Sequence, residues 1–109
     1  MDHHVPRAIT IGLRLRGVQV VTAAEDGTSE ADDSALLDRA MAVGQPIFMH
    51  DVDLLVEATR RQRAGTPFAG VVYAHPLRVS IGRCIEDLEL MAKAGEPGDL
   101  VNQVQFLPL

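Results

Sequence analysis

One cysteine, no tryptophan, one tyrosine and three phenylalanines are all that a chain of 109 residues carries of those types. The lone Cys84 excludes an internal disulfide and any zinc cluster built on cysteines. Its place in an apolar-periodic segment favours a small buried hydrophobe over a reactive thiol. So few rings make a thin platform for stacking bases, as single-strand nucleic-acid binders do. Positive charge is also scarce: 10 Lys and Arg stand against 15 Asp and Glu, a net charge of −5. That deficit argues against non-specific duplex binding driven by bulk charge. It leaves room for a local basic patch, and it suits a site that gathers carboxylates around a cation. No apolar run reaches the ~18 to 20 residues of a membrane span, and the start, Met1-Asp2-His3-His4-Val5-Pro6, has no apolar signal region, so a cytoplasmic location is expected. Repeats, linkers and Ser/Pro/Gln-rich stretches are missing too, which disfavours disorder.

What is present is a 47% apolar composition, read as one compact soluble domain over residues 1–109 that buries roughly two thirds of its unfolded surface. Pro6 suits the first turn of a helix with Ile9 and Leu13 on its apolar side and Gly17 just past its end. Val18 to Thr22 is β-branched and predicts a strand. Residues 23–31 are expected as a polar loop around the turn pair Asp26-Gly27. Asp32 or Asp33 can cap a second helix through Leu36, Leu37 and Ala40 to about Val43, ended by Gly44. A short apolar strand, 46–49, delivers His50-Asp51. A third helix follows Asp53, with Leu54, Leu55 and Ala58 on one side and Arg60, Arg61 and Arg63 at its end before Gly65. Residues 69–74 form a nearly continuous apolar run, as in a strand buried on both faces. Ser80 can cap the longest helix, in which Ile81, Ile85, Leu88 and Met91 recur at helical spacing, and 104–107 predicts an edge strand. Alternating strands and helices predict a three-layer α/β/α sandwich with a mainly parallel sheet.

The chemistry concentrates in His50-Asp51-Val52-Asp53, where a buried strand gives way to a helix. Ligands of open α/β sheets bind beyond the carboxyl ends of strands. If that segment is extended, Asp51 and Asp53 face one side and converge on a hard cation; the structural alternative is that Asp53 simply caps the helix. Asp2, ahead of the first helix, and Asp33, at the start of the second, are expected at the same end. Four carboxylates there repel unless a divalent cation neutralises them. Oxygen-only ligation favours Mg²⁺ or Mn²⁺ over zinc and suits hydrolysis of a phosphodiester.

The ordered fragments Asp2-His3-His4-Val5-Pro6-Arg7, Arg16-Gly17-Val18-Gln19-Val20, Asp33 ahead of Leu36-Leu37-Asp38-Arg39-Ala40, and Phe48-Met49-His50-Asp51-Val52-Asp53 resemble the signatures of a PIN-like bacterial family related to the PIN-domain toxin ribonucleases. The resemblance spans essentially the whole chain, including Gly70-Val71-Val72-Tyr73. It implies a PIN-like Rossmannoid sheet of order 3-2-1-4-5 and a Mg²⁺- or Mn²⁺-dependent ribonuclease site. By that resemblance Asp2, Asp33, Asp51 and Asp53 are the metal ligands and catalytic acids, RNA is the substrate, and a cognate antitoxin is a partner. Departures from the family pattern are His3-His4 for Glu-Asn, Met49 for Thr and Leu54 for Phe. The apolar first strand, central in that fold, is represented only by Met1, so an edge left open there invites pairing with another copy.

Other residues have plainer readings. His3 and His4 suit a solvated segment, His50 a supporting hydrogen bond, and His75 the same end of the sheet. Arg7, Arg14, Arg16, Arg60, Arg61 and Arg63 suit solvated helix faces and ends; Arg7 and Arg60 are the candidates for phosphate contacts. Glu86, Asp87 and Glu89 are expected on a wet face. The rival to a nuclease is a noncatalytic PIN-like interaction or regulatory module.

Overall fold

A computed structural model describes residues 1, 5–96 and 98–109. Asp2, His3 and His4 lie outside the described residues. In chain order the elements are α1 (Arg7–Leu15), α2 (Ala23–Asp26), α3 (Asp33–Val43), β1 (Ile47–Met49), α4 (Val52–Ala64), β2 (Val71–Tyr73), α5 (Ile81–Ala94) and β3 (Val104–Phe106). The three strands form one parallel sheet in the order β1-β2-β3. This is a small α/β domain with a parallel sheet flanked by helices, a generic Rossmannoid arrangement.

The period-2 alternation of strand side chains divides the core into two halves. Ile47, Met49, Val71 and Tyr73 pack with Leu37 and Ala40 of α3, Leu54 and Ala58 of α4, and Phe68. Phe48, Val72 and Ala74 point the other way, onto Ile9 and Leu13 of α1, Cys84 and Ile85 of α5, Val79 and Leu107. Helices therefore cover both faces, and β2 in the middle has no exposed residue. Burial on both sides explains why its sequence is apolar throughout rather than alternating.

Gly70, immediately before β2, has φ +106°, and a Cβ built on it lies 2.1 Å from the carbonyl oxygen of Leu100. Only glycine fits both the backbone angle and that approach. At Gly44, which ends α3 with φ +70°, a Cβ meets nothing within 4 Å.

Several expectations change in detail. The segment 18–22 runs between helices without joining the sheet. Its neighbour is Met1, whose N-terminal ammonium donates to the Val21 carbonyl at 2.8 Å while the Met1 carbonyl accepts from Ala23 N–H at 2.9 Å. The strand order implied by the PIN-like resemblance separates 46–49 from 69–74, whereas Ile47 pairs directly with Val71. Phe48 and Val72 thereby share one apolar cluster, and α4 bridges adjacent strands as a short crossover. The expected loop 23–31 begins with α2, a single turn held by a capping box in which Thr22 Oγ1 accepts from Glu25 N–H and Glu25 accepts from Thr22 N–H.

Asp87 is not on a wet face. It is 4% exposed, takes Arg83 as an ion pair at 3.1 Å, and accepts the Leu109 backbone N–H at 3.1 Å. The expected solvated Arg61 is buried as well. Its guanidinium reaches Asp38 at 2.9 Å, Ser34 Oγ at 2.8 Å and the Ser34 carbonyl at 3.1 Å, which ties α4 to the first turns of α3. Both residues sit on the buried helical stripe, Arg61 at the spacing of Leu54 and Ala58 and Asp87 three residues after Cys84.

Two measurements follow. Gly70→Ala is expected to cost more than about 2 kcal/mol in urea unfolding because backbone strain and a backbone clash add, while Gly44→Ala costs about 1 kcal/mol, the penalty for φ alone. Equal effects would show that Leu100 yields. The second concerns acid. The Thr22 N–H bond, with Arg14 second, lowers the Glu25 carboxyl from its ordinary 4.5 to about 2. A depressed folded pKa gives stability that is complete above about 4.5 and lost as the pH falls through about 2. Glu25→Gln is therefore expected to lose less thermal stability than the parent between those values, followed by circular dichroism.

Candidate functional site

Because the strands are parallel, the ends of β1 and β2 reach the same edge of the sheet. The residues that follow them, His50-Asp51 and Ala74-His75, face each other across that edge. His50 Nδ1 lies 2.7 Å from the Ala74 carbonyl oxygen. A carbonyl only accepts, so Nδ1 carries the proton and Nε2 of the neutral ring holds a free electron pair. The ring also meets Phe48 edge-on, 5.3 Å between centroids and 73° between planes. Two residues apart on an extended chain, Phe48 and His50 share a face, and the apolar cluster below fixes the imidazole above it. His75 is protonated the other way round: its Nδ1 accepts the Leu77 N–H at 3.2 Å, which leaves the proton of the neutral ring on Nε2.

Asp51 is the N-cap of α4. Its Oδ1 accepts the Asp53 backbone N–H at 2.9 Å. This corrects the expectation that 50–53 is extended: α4 starts at Val52, so Asp53 lies in its first turn and the two acids follow helical rather than strand geometry. Asp51 rather than Asp53 is the cap, a role that Asp fills well because its oxygen satisfies an otherwise unpaired donor. Asp53 is exposed in the first turn, where the helix dipole favours a negative charge. Its carboxylate has no side-chain partner among the described residues. Asp33 opens α3, and the cap there is Asp32, whose Oδ1 accepts Ala35 N–H at 2.8 Å.

Carboxylate oxygens are what a hard divalent cation takes, so the donor chemistry of Asp33, Asp51 and Asp53 suits Mg²⁺ or Mn²⁺. The cap hydrogen bond links Asp51 to the Asp53 backbone, but residues two apart on a helix do not face each other, and among the described residues no three His, Cys, Asp or Glu side chains gather to hold an ion. The fourth expected ligand, Asp2, lies outside the described residues.

The arginines divide by role. Arg14 pairs with Glu25, Arg16 with Glu89 at 3.6 Å, and Arg61 is internal. Arg60 is held by Glu57 at 2.6 Å, and this pairing, with Arg61 adding to it, keeps the Glu57 carboxyl below its ordinary range. Arg7 is exposed on α1 and has no ion-pair partner among the described residues, beside a shallow groove between α1 and α2 lined by Val5, Thr10, Ile11 and Ala24. Of the two expected phosphate contacts, then, Arg7 is available and Arg60 is engaged. Burial, with Asp87 second, raises the Cys84 thiol, which accords with an inert core residue.

No helix among the described residues is long and apolar enough to cross a membrane. Compared with protein-family models, with curated proteins and with solved structures, the chain matches none of them.

The hydrogen bonds assign opposite tautomers to the two histidines. Two-bond proton–nitrogen NMR correlations above neutral pH are expected to show His50 protonated on Nδ1 and His75 on Nε2. A His50 protonated on Nε2 would mean that its link to Ala74 is broken in solution.

Proposed function

We propose that this chain is a metal-dependent ribonuclease of the PIN-like class, acting in the cytoplasm and regulated by a cognate antitoxin. The observation that carries the reading is the placement of Asp51 and Asp53 at the α4 N-terminus, on the carboxyl edge of the sheet where α/β folds bind ligands. Asp51 and Asp53, with Asp33 and Asp2, would hold Mg²⁺ or Mn²⁺, which supplies the Lewis acidity that activates water toward a phosphodiester. The chain's own contribution is to position those carboxylates. The cap hydrogen bond fixes the Asp51 rotamer, and the His50 bond to Ala74 locks the β1 end against the β2 end. Arg7 supplies a free cation for an RNA phosphate.

A second reading, a noncatalytic PIN-like interaction module, is favoured by one observation. Asp51 already uses an oxygen as a helix cap.

Asp51→Asn separates the two readings, because Asn also caps helices well and so preserves the fold. With Mn²⁺ or Mg²⁺, the purified protein is expected to cleave RNA, and Asp51→Asn to lower the rate by about a hundredfold or more. Cleavage undiminished in Asp51→Asn would identify a contaminant. No metal-dependent cleavage, together with no calorimetric divalent binding, would leave the interaction module.

A further inference from the structure

α4 presents a second surface on the side turned away from its buried residues. Leu54, Ala58 and Arg61 face inward. On the opposite side Val52 and Val56 are 56% and 61% exposed, and the helical period of 3.6 residues aligns them with Thr59 and Arg63 in one stripe. Leu55 and Arg60 flank it, and these two with Val56, Thr59 and Arg63 line an open groove along the helix. Ile11 and Leu15, four residues apart on α1, are exposed at the same spacing, but that helix carries no acidic residue to complement its arginines in a second copy.

Charge is unequally spread along this helix. Asp51, Asp53 and Glu57 occupy its first half, and Arg60, Arg61 and Arg63 its last. Asp51 is taken up by its cap hydrogen bond, and two of the remaining charges, the Asp53 carboxylate and the Arg63 guanidinium, have no ion-pair partner among the described residues. They lie at opposite ends of the stripe, about ten residues or 15 Å apart along the axis at 1.5 Å per residue, too far for each other.

We infer that the α4 stripe is a self-association surface, occupied by α4 of a second copy packed antiparallel about a two-fold axis. An isologous contact requires a self-complementary surface, and this stripe is one. Set antiparallel with the axis midway between Glu57 and Ala58, the stripe maps onto itself: Val52 lies opposite Arg63 of the second copy, Leu55 opposite Arg60, and Val56 opposite Thr59. Each Arg63 then lays its aliphatic stem over a valine and carries its charge to the Asp53 of the other copy. The acidic half of each helix meets the basic half of the other, and the helix dipoles run antiparallel. A parallel arrangement would oppose like charges. A contact built on one helix per copy lies below the ~1,200 Å² of a standard interface, so the association is weak and concentration-dependent. The inference does not depend on the nuclease reading, since oligomeric state is measured without activity.

Sedimentation velocity from low micromolar to near-millimolar concentration is expected to show a reversible monomer–dimer equilibrium that salt weakens. Val56→Glu, at an exposed position that leaves the core intact, is expected to leave only monomer. Asp53→Arg and Arg63→Asp are each expected to raise the dissociation constant about tenfold or more, and the double variant to recover most of that loss. Circular dichroism establishes that each variant is folded. A monomer at every concentration overturns the inference, as does a dimer unaffected by Val56→Glu or a double variant without recovery. Capture of a different protein on this face in the absence of self-association overturns it as well.

Discussion

Everything in this fold hangs on the double burial of β2. Val71 and Tyr73 close one half of the core, Val72 and Ala74 the other, so a one-residue slip would exchange every contact on both faces at once. The same register brings the end of β1 level with Ala74, and the His50 hydrogen bond exists only because of it. The candidate site is in that sense a by-product of how the strand is packed. Gly70 belongs to this constraint, because β2 enters the core so close to Leu100 that no side chain fits between them.

Two charged residues within the apolar packing set the relative placement of elements that hydrophobic contact alone would leave free to slide. Hydrophobic attraction is non-directional, whereas Arg61 must reach Asp38 and two atoms of Ser34 together, which is possible at only one offset of α4 against α3. Asp87 likewise fixes the end of the chain on α5 through the Leu109 N–H. A buried polar group left unpaired costs more than its hydrogen bond contributes, so these ties act mainly by penalising alternative packings.

Much of this was readable from residue spacing, and the failures have physical causes. The starts of α3 and α5 follow from Asp32 and Ser80, and the ends of α3 and α4 from Gly44 and Gly65, whose capping geometry is local. The core strands follow from apolar runs. Segment 18–22 has strand composition, but pairing is a tertiary property, and among the described residues its backbone meets Met1, Leu13 and the side chains of Arg14 and Glu25 rather than a strand of the sheet. Thr22-Ala23-Ala24-Glu25 carries the capping-box spacing, and the turn signal Asp26-Gly27 conceals it because a one-turn helix and a turn use the same residues. The charge of Arg61 and Asp87 points to solvent, although their positions share the apolar period. At the site, the spacing of Asp51 and Asp53 singles them out as a pair but does not say which of them caps α4. That depends on where the helix begins, the least certain quantity in any reading by pattern.

The helical period gives α4 three surfaces. Its inner stripe anchors the core, its first turn carries Asp51 and Asp53, and its outer stripe is the proposed contact with a second copy. The last two meet at a single group. On the nuclease reading the Asp53 carboxylate faces a divalent cation, and on the self-association reading it faces the guanidinium of Arg63 from the second copy. One carboxylate cannot give its full charge to both, so occupancy by either cation weakens the hold of the other. Linkage makes that antagonism reciprocal. If both readings hold, Asp53 couples the association of two copies to the loading of the site, and a protein with a net charge of −5 uses its own arginine to neutralise an acidic site while no metal fills it.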